Sequence, residues 1–383
     1  MKDCAIVGIG ETKLGKWPGI TSLELQAEAV LLALADAGIS PSEVDGLFNL
    51  GPYGRPSTMW ASALAEYLRL YPTAMTSVDS GGVNSPMWMI ECAMHAIRTR
   101  QCKVAVVTFG EAMISGKVVQ GSGFTTTGED VEFEQPLGLV GTVIPYALIT
   151  ARHKALYNIP QEAFGAVALS ARRHALLNPN AVMKKPMTMD DYMNSRMISD
   201  PMRLLDCSVF VDGAGALVIT SADRARDMPK PAVSILSLGQ KVSHRNVGEM
   251  RSVEELGVKE LGQRVLGEAG LTLQDIDVAA VHDAFTISVI IMLEELGFCK
   301  RGEGGEYALA GNLDLGSRCP INPHGGLLSQ GHVGGMMHVL EGVRQVRGDC
   351  GARQVPNVKH SLVAGGGGIM GVHGLMVMGR TFA

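Results

Sequence analysis

A stretch of about a dozen residues occurs twice in this chain, and the repeat constrains the fold more than any other feature. Segment 34–45 reads LADAGISPSEVD and segment 266–277 reads LGEAGLTLQDID, with no gap over an offset of 232 positions. In both copies a helical pattern ends at an Ala-Gly pair, and a short acidic turn leads into a strand-like run. The repeat therefore predicts that one half-domain has been duplicated.

A second pair of segments extends the repeat. Segment 78–82, VDSGG, precedes a helical pattern over 86–98 and a strand-like run over 104–107. The glycine-rich segment around His332 likewise precedes a helical pattern from Met336 to about Val346 and a strand-like run over 361–363. Because strands alternate with helices in both copies, each half is predicted to be an α/β layer structure.

Two regions fall outside the repeat and suggest a domain division. The charged, proline-ended linker over 222–230 predicts halves 1–230 and 231–383. Segment 111–204 has no counterpart in the second half, and such an insertion often covers a site or builds a subunit contact. It carries helical patterns over 144–157 and 161–177 and basic spots at Arg172, Arg173, Lys184 and Lys185. These basic residues fit either a solvated helix face or a phosphate contact.

Composition excludes several kinds of partner. The net charge of -5 argues against nucleic acid, which requires a basic surface. No apolar run approaches the length of a membrane-spanning helix, and the first residues look like a strand rather than a signal peptide. The seven cysteines show no CxxC spacing, so we expect a cytoplasmic protein without a disulfide framework and without a metal site of its own.

The segment with the strongest chemical signal is 319–335, CPINPHGGLLSQGHVGG. It places His324 and His332 in a glycine-dense loop directly before a helical pattern. Imidazoles at such a junction can act as acid, base or donor to a developing oxyanion, while glycines allow a ligand to come close. A tight turn without chemistry is the alternative. His338 lies about a turn and a half of helix beyond His332, so we expect it to face elsewhere.

The ordered set of motifs resembles the thiolase superfamily, within it the branch of sterol-carrier-protein thiolases and lipid-transfer-protein-type relatives. The resemblance covers nearly the whole chain and rests on AIVGIG at 5–10, the Ala37-Gly38 unit, DCS at 206–208, DGA at 212–214, VHDAFT at 281–286, EELGF at 294–298, NPHGG at 322–326, Gly331-His332 and GGGG at 365–368. It implies a five-layered αβαβα fold of two duplicated halves with an inserted lid region. It also implies a homodimer that uses coenzyme A or an acyl-CoA as substrate and binds no cofactor tightly.

The same resemblance implies where the reactive groups lie. His332 matches the family's Gly-His loop, and His282 matches the histidine form of its (N/H)-(E/D)-x-F motif. The place of the nucleophilic cysteine falls at Gly82 or Val83, so that thiol is missing. His324 stands where the family usually has a small residue.

The late cysteine of the family is also absent, because its place falls at Ala364 or Gly365. We therefore predict three catalytic imidazoles, those of His332, His282 and His324. The CoA thioester is expected to lie against a set of small residues around them: Gly82, Val83, Ser85, Gly331, Gly366 and Gly367.

Loss of both thiols leaves the reaction open. Ser80 and Ser85 are the nearest hydroxyls to the missing nucleophile, and Cys92 lies deeper in a helix predicted to be buried. Two retained imidazoles could still stabilise an enolate next to a thioester. We expect thiolytic acyl transfer of a 3-oxoacyl-CoA, with free CoA attacking under His332 or His324 as base.

Two alternatives remain: a retro-aldolase acting on a 3-hydroxyacyl-CoA, and a non-catalytic acyl-CoA-binding subunit. Some members of the branch are retro-aldolases that work with a small zinc-ribbon/OB protein of the DUF35 type. The resemblance therefore also implies such a partner for this chain.

Overall fold

The computed structural model describes residues 3–54, 57–116, 130–253 and 256–380. The glycine- and threonine-rich part of the predicted insertion, 121–128, lies outside them. Within these ranges the helices are α1 (Ser22–Ala37), α2 (Trp60–Leu68), α3 (Ser85–Arg98), α4 (Val143–Tyr157), α5 (Gln161–Leu177), α6 (Met189–Met193), α7 (Ala222–Ala225), α8 (Val258–Ala269), α9 (Thr286–Leu296), α10 (Gly304–Leu309) and α11 (Met336–Arg347). The strands are β1 (Cys4–Glu11), β2 (Gly46–Asn49), β3 (Ala74–Ser77), β4 (Val104–Ala112), β5 (Met197–Ser199), β6 (Met202–Arg203), β7 (Asp212–Ser221), β8 (Val233–Val242), β9 (Val278–Val281), β10 (His360–Gly367) and β11 (Val372–Arg380).

Nine of the described strands form one sheet whose order repeats itself. The order is β3-β2-β4-β7-β1-β8-β11-β10-β9, and β5 pairs separately with β6. In the first set β2 runs parallel to β4, β4 antiparallel to β7, and β7 antiparallel to β1. In the second set β9, β10, β11 and β8 pair in the same way. The sets meet where Ala5 pairs with Ser234 and Ile6 with Val233.

The sequence repeat is a structural repeat. Helices α1 and α8 both end at a glycine in the left-handed conformation, Gly38 with φ 68° and Gly270 with φ 73°. A three-residue 3-10 turn follows each of them, and the strands β2 and β9 again start 232 positions apart. A division of the chain near residue 230 stays a prediction.

The helices arrange this sheet into five layers. Helix α1 covers β1, β4 and β7 from outside, and α8 covers β8 and β11. Helices α3 and α11 contact strands of both sets and form the middle layer. That layer is apolar, with Met87, Ile90, Met336 and Leu340 fully buried in one continuous cluster. The predicted five-layered αβαβα thiolase fold is confirmed.

The insertion helices α4 and α5 pack on the second half, against α9. Their bounds agree closely with the helical patterns seen in the sequence. Among the described residues, no helix is both long enough and apolar enough to span a membrane.

Candidate active site

His282 is held at the end of strand β9 by the loop that carries His324. Its backbone N–H donates to the carbonyl of Ala364 on β10 at 2.8 Å. The side-chain amide of Asn322 exchanges two hydrogen bonds with the backbone of Val281, at 2.8 and 2.9 Å. Asn322 therefore acts like one more strand residue, and it fixes the loop beside the imidazole.

The neighbouring carboxylate, Asp283, holds the same loop by hydrogen bonds. It is fully buried and accepts hydrogen bonds from the backbone N–H of Leu327 at 3.0 Å and from Nε2 of His338 at 3.1 Å. Gly326 makes this possible, because its φ is +60° and a Cβ there would lie 1.8 Å from Oδ2 of Asp283. The π-helical turn Gly326–Gln330 is thereby anchored under the following histidine.

His332 enters the site after Gly331, whose φ of +142° suits only glycine. The N–H of His332 donates to the carbonyl of Val209 at 2.7 Å. Its Nδ1 lies 2.9 Å from the hydroxyl of Ser208, and among the described residues its Nε2 has no hydrogen-bond partner. Ser208 therefore fixes the ring so that Nε2 is the nitrogen left for a substrate.

The imidazole of His282 has a different environment. Its Nε2 lies 3.4 Å from the hydroxyl of Tyr146 on α4, and its buried Nδ1 has no partner among the described residues. A Cβ at Gly366 would lie 3.0 Å from Cγ of His282, so the glycine run of β10 packs directly on this ring. Like His332, His282 has one nitrogen held by a protein hydroxyl and the other unpaired.

Electrostatics keep these rings neutral. Burial lowers the pKa of His332 to about 4, although Asp283 nearby acts in the opposite direction. Burial also lowers the pKa of His282 well below its usual value, and the rings of His338, His332 and His373 lower it further. A neutral imidazole can donate one N–H to an oxyanion without carrying charge itself.

The third predicted imidazole, that of His324, lies beside His338. Its ring meets that of His338 edge-on, with centroids 5.0 Å apart, and both its nitrogens are buried without a partner in the described chain. Burial lowers its pKa well below the usual value, helped by His338 and Arg353. His324 thus lies against His338 and the basic groups behind it, and its catalytic role stays a prediction.

The prediction that His338 faces away from the site is wrong. Its Nε2 lies 3.0 Å from the carbonyl of Val281 and 3.1 Å from Asp283. Side chains in a helix lean toward its N-terminus, and His338 is in the first turn of α11, so its ring reaches back under the loop.

Helix α5 of the insertion contacts the loop that carries His324, residues 322–330, through three polar side chains. His174 Nδ1 lies 3.1 Å from the carbonyl of Asn322, and the Asn178 amide, just after the helix, donates to the carbonyl of His324 at 2.9 Å. The Arg172 guanidinium donates to the Ser329 hydroxyl at 3.2 Å. The arginine that fitted a phosphate contact therefore makes an internal contact.

The loop before α3, residues 78–84, corresponds in the first half to the His332 loop before α11, and it carries no imidazole. The N–H of Gly82 donates to the hydroxyl of Tyr53 at 2.9 Å, and that hydroxyl donates to Asp79 at 3.1 Å. The N–H of Ser80 donates to the Ser85 hydroxyl at 3.2 Å. The N–H groups of Ser80 and Gly82 are therefore occupied by the protein itself.

The structure brings this loop against the glycines of the second half. A Cβ at Gly367 would lie 2.1 Å from the carbonyl oxygen of Gly81, and one at Gly335 would lie 2.0 Å from that of Val83. The loop that carries Gly82 and Val83 therefore lies against the glycine run of β10, while Gly331 precedes His332. Contact of a CoA thioester with the six small residues named from the sequence stays a prediction.

All seven cysteines are free, and their environments are those of inert thiols. Cys207 stands beside Ser208, and burial raises its pKa to about 12. Burial also raises the pKa of Cys92. A reactive thiol needs a lowered pKa, so no cysteine of this chain is prepared as a nucleophile.

Sequence reasoning missed Tyr146 and the role of Ser208. Ser208 lies in the DCS motif at 206–208, so its place in the motif order was a usable signal. Tyr146 lies in the insertion, which has no mirror in the second half and gave no pattern that could connect it with His282.

Comparison with known proteins agrees with this architecture. A family model described as thiolase C-terminal domain-like matches residues 239–380. A 17-hydroxy-3-oxo-4-pregnene-20-carboxyl-CoA lyase of Mycobacterium tuberculosis is 38% identical over 96% of this chain and 97% of its own length. A steroid side-chain-cleaving aldolase of Thermomonospora curvata is 34% identical over 95% of both chains. The solved structure of an Ltp2-ChsH2(DUF35) aldolase covers 100% of this chain and 99% of its own, at 33% identity and a TM-score of 0.90.

The fold, the paired imidazoles and these relatives define a thiolase-like enzyme that acts on carbon–carbon bonds. The chain belongs to the thiolase superfamily. Within that superfamily it belongs to the sterol-carrier-protein thiolase-like branch, together with the steroid side-chain aldolases.

Proposed function

We propose that the protein is a carbon–carbon lyase that cleaves a CoA thioester bearing a hydroxyl on its β-carbon. A base removes the hydroxyl proton, and the oxygen forms a ketone or aldehyde carbonyl as the bond between α- and β-carbons breaks. The bonding electrons pass into the thioester as an enolate. Return of the proton to the α-carbon releases a shorter acyl-CoA, so free CoA, oxidant and reductant are not consumed.

The observation that carries this proposal is the pair of neutral imidazoles beside a loop without a thiol. Acyl transfer through the enzyme needs an activated nucleophile, and the cysteines here have raised pKa values. An enolate needs donors aimed at its oxygen, and His282 and His332 each leave one ring nitrogen unpaired. This supports the retro-aldol alternative over the thiolytic reaction that the sequence first favoured.

Their surroundings divide the work between the two rings. Burial disfavours the charged form of His332, but Asp283 nearby favours it, so of the two rings His332 is better suited to take up a proton at Nε2 and return it. The named charged neighbours of His282 are other imidazoles, which disfavour its charged form. His282 accordingly serves as the neutral N–H donor to the thioester oxygen.

The names of the relatives supply the substrate class and the partner. The aldolase is named for cleaving a steroid side chain, and the lyase is named for a pregnene carboxyl-CoA. We therefore propose a CoA ester on the side chain of a steroid-like ring system. The Ltp2-ChsH2(DUF35) structure supports a DUF35-type second subunit.

A homodimer is also proposed. Strand β3 is an edge of the sheet, and an exposed edge can pair with another chain. The other edge strand, β9, is partly covered by Ile321.

Product analysis tests the reaction class. The protein, together with its DUF35-type subunit, is incubated with a β-hydroxy steroid-side-chain acyl-CoA, with and without added free CoA. Equal amounts of a ketone and a shorter acyl-CoA, formed without free CoA, are the expected result. Products that appear only with free CoA, as two thioesters, would show a thiolase instead, and binding without turnover would show a non-catalytic subunit.

A further inference from the structure

The insertion contributes one side chain to the imidazole pair, and no pattern in the sequence pointed to it. Tyr146 lies on α4, 2% exposed, and its hydroxyl oxygen is 3.4 Å from Nε2 of His282. Its ring packs against Phe285 with centroids 4.3 Å apart, which fixes the phenol in place. The distance is long for a hydrogen bond, as is common for catalytic contacts before substrate binds.

The direction of this contact follows from the groups around the phenol. Burial raises the pKa of Tyr146, so the hydroxyl keeps its proton at neutral pH. Among the described residues the hydroxyl has one hydrogen-bond partner, Nε2 of His282, and the buried hydroxyl of the nearby Ser288 has none. The phenol proton therefore points to Nε2 of His282.

The state of the histidine then follows from its own chemistry. A neutral imidazole carries one proton, and a hydrogen bond at one nitrogen decides that the other nitrogen carries it. If Nε2 accepts from Tyr146, the proton is on Nδ1. That nitrogen is buried and has no partner among the described residues, and an unsatisfied buried donor destabilises the protein. A thioester oxygen in the site would relieve this destabilisation.

We propose that Tyr146 is a positioning residue that holds His282 as its Nδ1–H tautomer and so makes it an oxyanion donor. This inference rests on the proposed function for its catalytic meaning, but the tautomer exists without substrate. The predicted insertion thereby contributes to the reaction, because Tyr146 on its helix α4 decides which nitrogen of His282 carries the proton. His282 directly follows β9 and belongs to the second half.

Tyr146→Phe removes one oxygen and keeps the ring that packs on Phe285. The matched control is Tyr157→Phe, the same change on the same helix, where the ring packs on His153 at 4.8 Å instead. Protein with ¹⁵N-labelled histidine reports which ring nitrogen carries the proton, and His282→Asn identifies the signals of His282. Melting temperatures of all variants show whether each one is folded.

In the wild-type protein, Nδ1 of His282 is expected to be protonated and Nε2 to be unprotonated. Tyr146→Phe should give a mixture of tautomers and lower kcat of the holoenzyme about fivefold to tenfold with KM nearly unchanged, as expected for one lost hydrogen bond of about 1 kcal/mol. Tyr157→Phe should change neither. In a His282→Asn background, whose amide donates without a tautomer, Tyr146→Phe should have no further effect on kcat.

A wild-type signal with the proton on Nε2 would overturn the proposal, and that measurement needs no variant to fold. So would an unchanged tautomer in Tyr146→Phe, or an equal loss of kcat from Tyr146→Phe in the wild-type and His282→Asn backgrounds. A wild-type holoenzyme without lyase activity would count against the proposed function alone, because the tautomer is read without turnover.

Discussion

The two loops that precede the middle helices occupy matching places in the duplicated fold but have opposite chemistry. Before α3, the donors of Ser80 and Gly82 are taken by the hydroxyls of Ser85 and Tyr53. Before α11, His332 keeps its Nε2 unpaired among the described residues. The first loop has become part of the scaffold, and the second has kept a group that can react.

The difference teaches how a duplicated fold can change its reaction. The first loop packs against the glycine run of β10 and, at Val83, against Gly335 of the second loop, so the two loops still meet. Removal of the thiol from one loop does not require a new fold, because the proposed oxyanion donors lie in the other half. An enolate formed in this site would be held by the second half.

The largest effect is expected for His332→Ala. It removes the proposed acid/base group, and kcat should fall by roughly a hundredfold to ten-thousandfold, the usual range for such a group. The measurement is single-turnover cleavage of the β-hydroxyacyl-CoA by the holoenzyme. Turnover that stays within a few-fold of wild type would show that the reactive group does not lie in the second loop.

His282→Ala is the next most severe change. It removes an oxyanion donor, so kcat should fall by about a hundredfold to a thousandfold. His282→Asn is the matched variant, since the amide can still donate a hydrogen bond. It should recover part of the loss, whereas equal rates for Ala and Asn would show that donation from this position is unimportant.

The sequence predicted the layers of the fold and both imidazoles of the candidate site, for identifiable physical reasons. The repeat at a constant offset fixed which helices and strands correspond, and motif order led to His282 and His332. It did not locate Tyr146, because a contact between an insertion and a distant strand end leaves no periodic pattern. His338 was misplaced because helical spacing was counted from His332, although the helix begins only at Met336.

Acid should destabilise the second half through its buried histidines. Burial lowers the pKa of His373 to about 4 in the folded protein, against about 6.5 when unfolded. A lowered folded pKa on a base means that the unfolded chain binds the proton more tightly, so stability is complete above about pH 6.5 and falls as the pH drops toward 4. Because this group is fully buried, its contribution to the loss is roughly 3 kcal/mol.

Denaturant unfolding at several pH values measures that loss. His95, which is solvent-exposed on α3, offers the control, and His95→Gln should keep the full pH dependence. Replacement of His373 by Gln should reduce it. A free energy of unfolding that is flat between pH 7 and pH 4 would contradict the neutral state assigned to these rings.

Ser208→Ala tests the hydroxyl that holds His332. The 2.9 Å contact at Nδ1 keeps Nε2 directed at the substrate, and its loss should lower kcat about fivefold, the equivalent of one hydrogen bond of about 1 kcal/mol. Ser208→Thr keeps the hydroxyl and should be closer to wild type. Equal kcat for the Ala variant and wild type would show that the backbone bond to Val209 alone positions the ring.

The smallest effect is expected for Ser80→Ala, in the first loop. Ser80 is one of the two hydroxyls nearest to the place of the missing thiol, yet its oxygen is buried and has no base beside it among the described residues. The bond that orders this loop comes from its backbone N–H to Ser85, which the substitution leaves intact. Because no hydrogen bond is lost, kcat should stay within about twofold. A loss of kcat comparable to that of His332→Ala, or an acyl-enzyme trapped on Ser80, would show that the nucleophile lies in the first half.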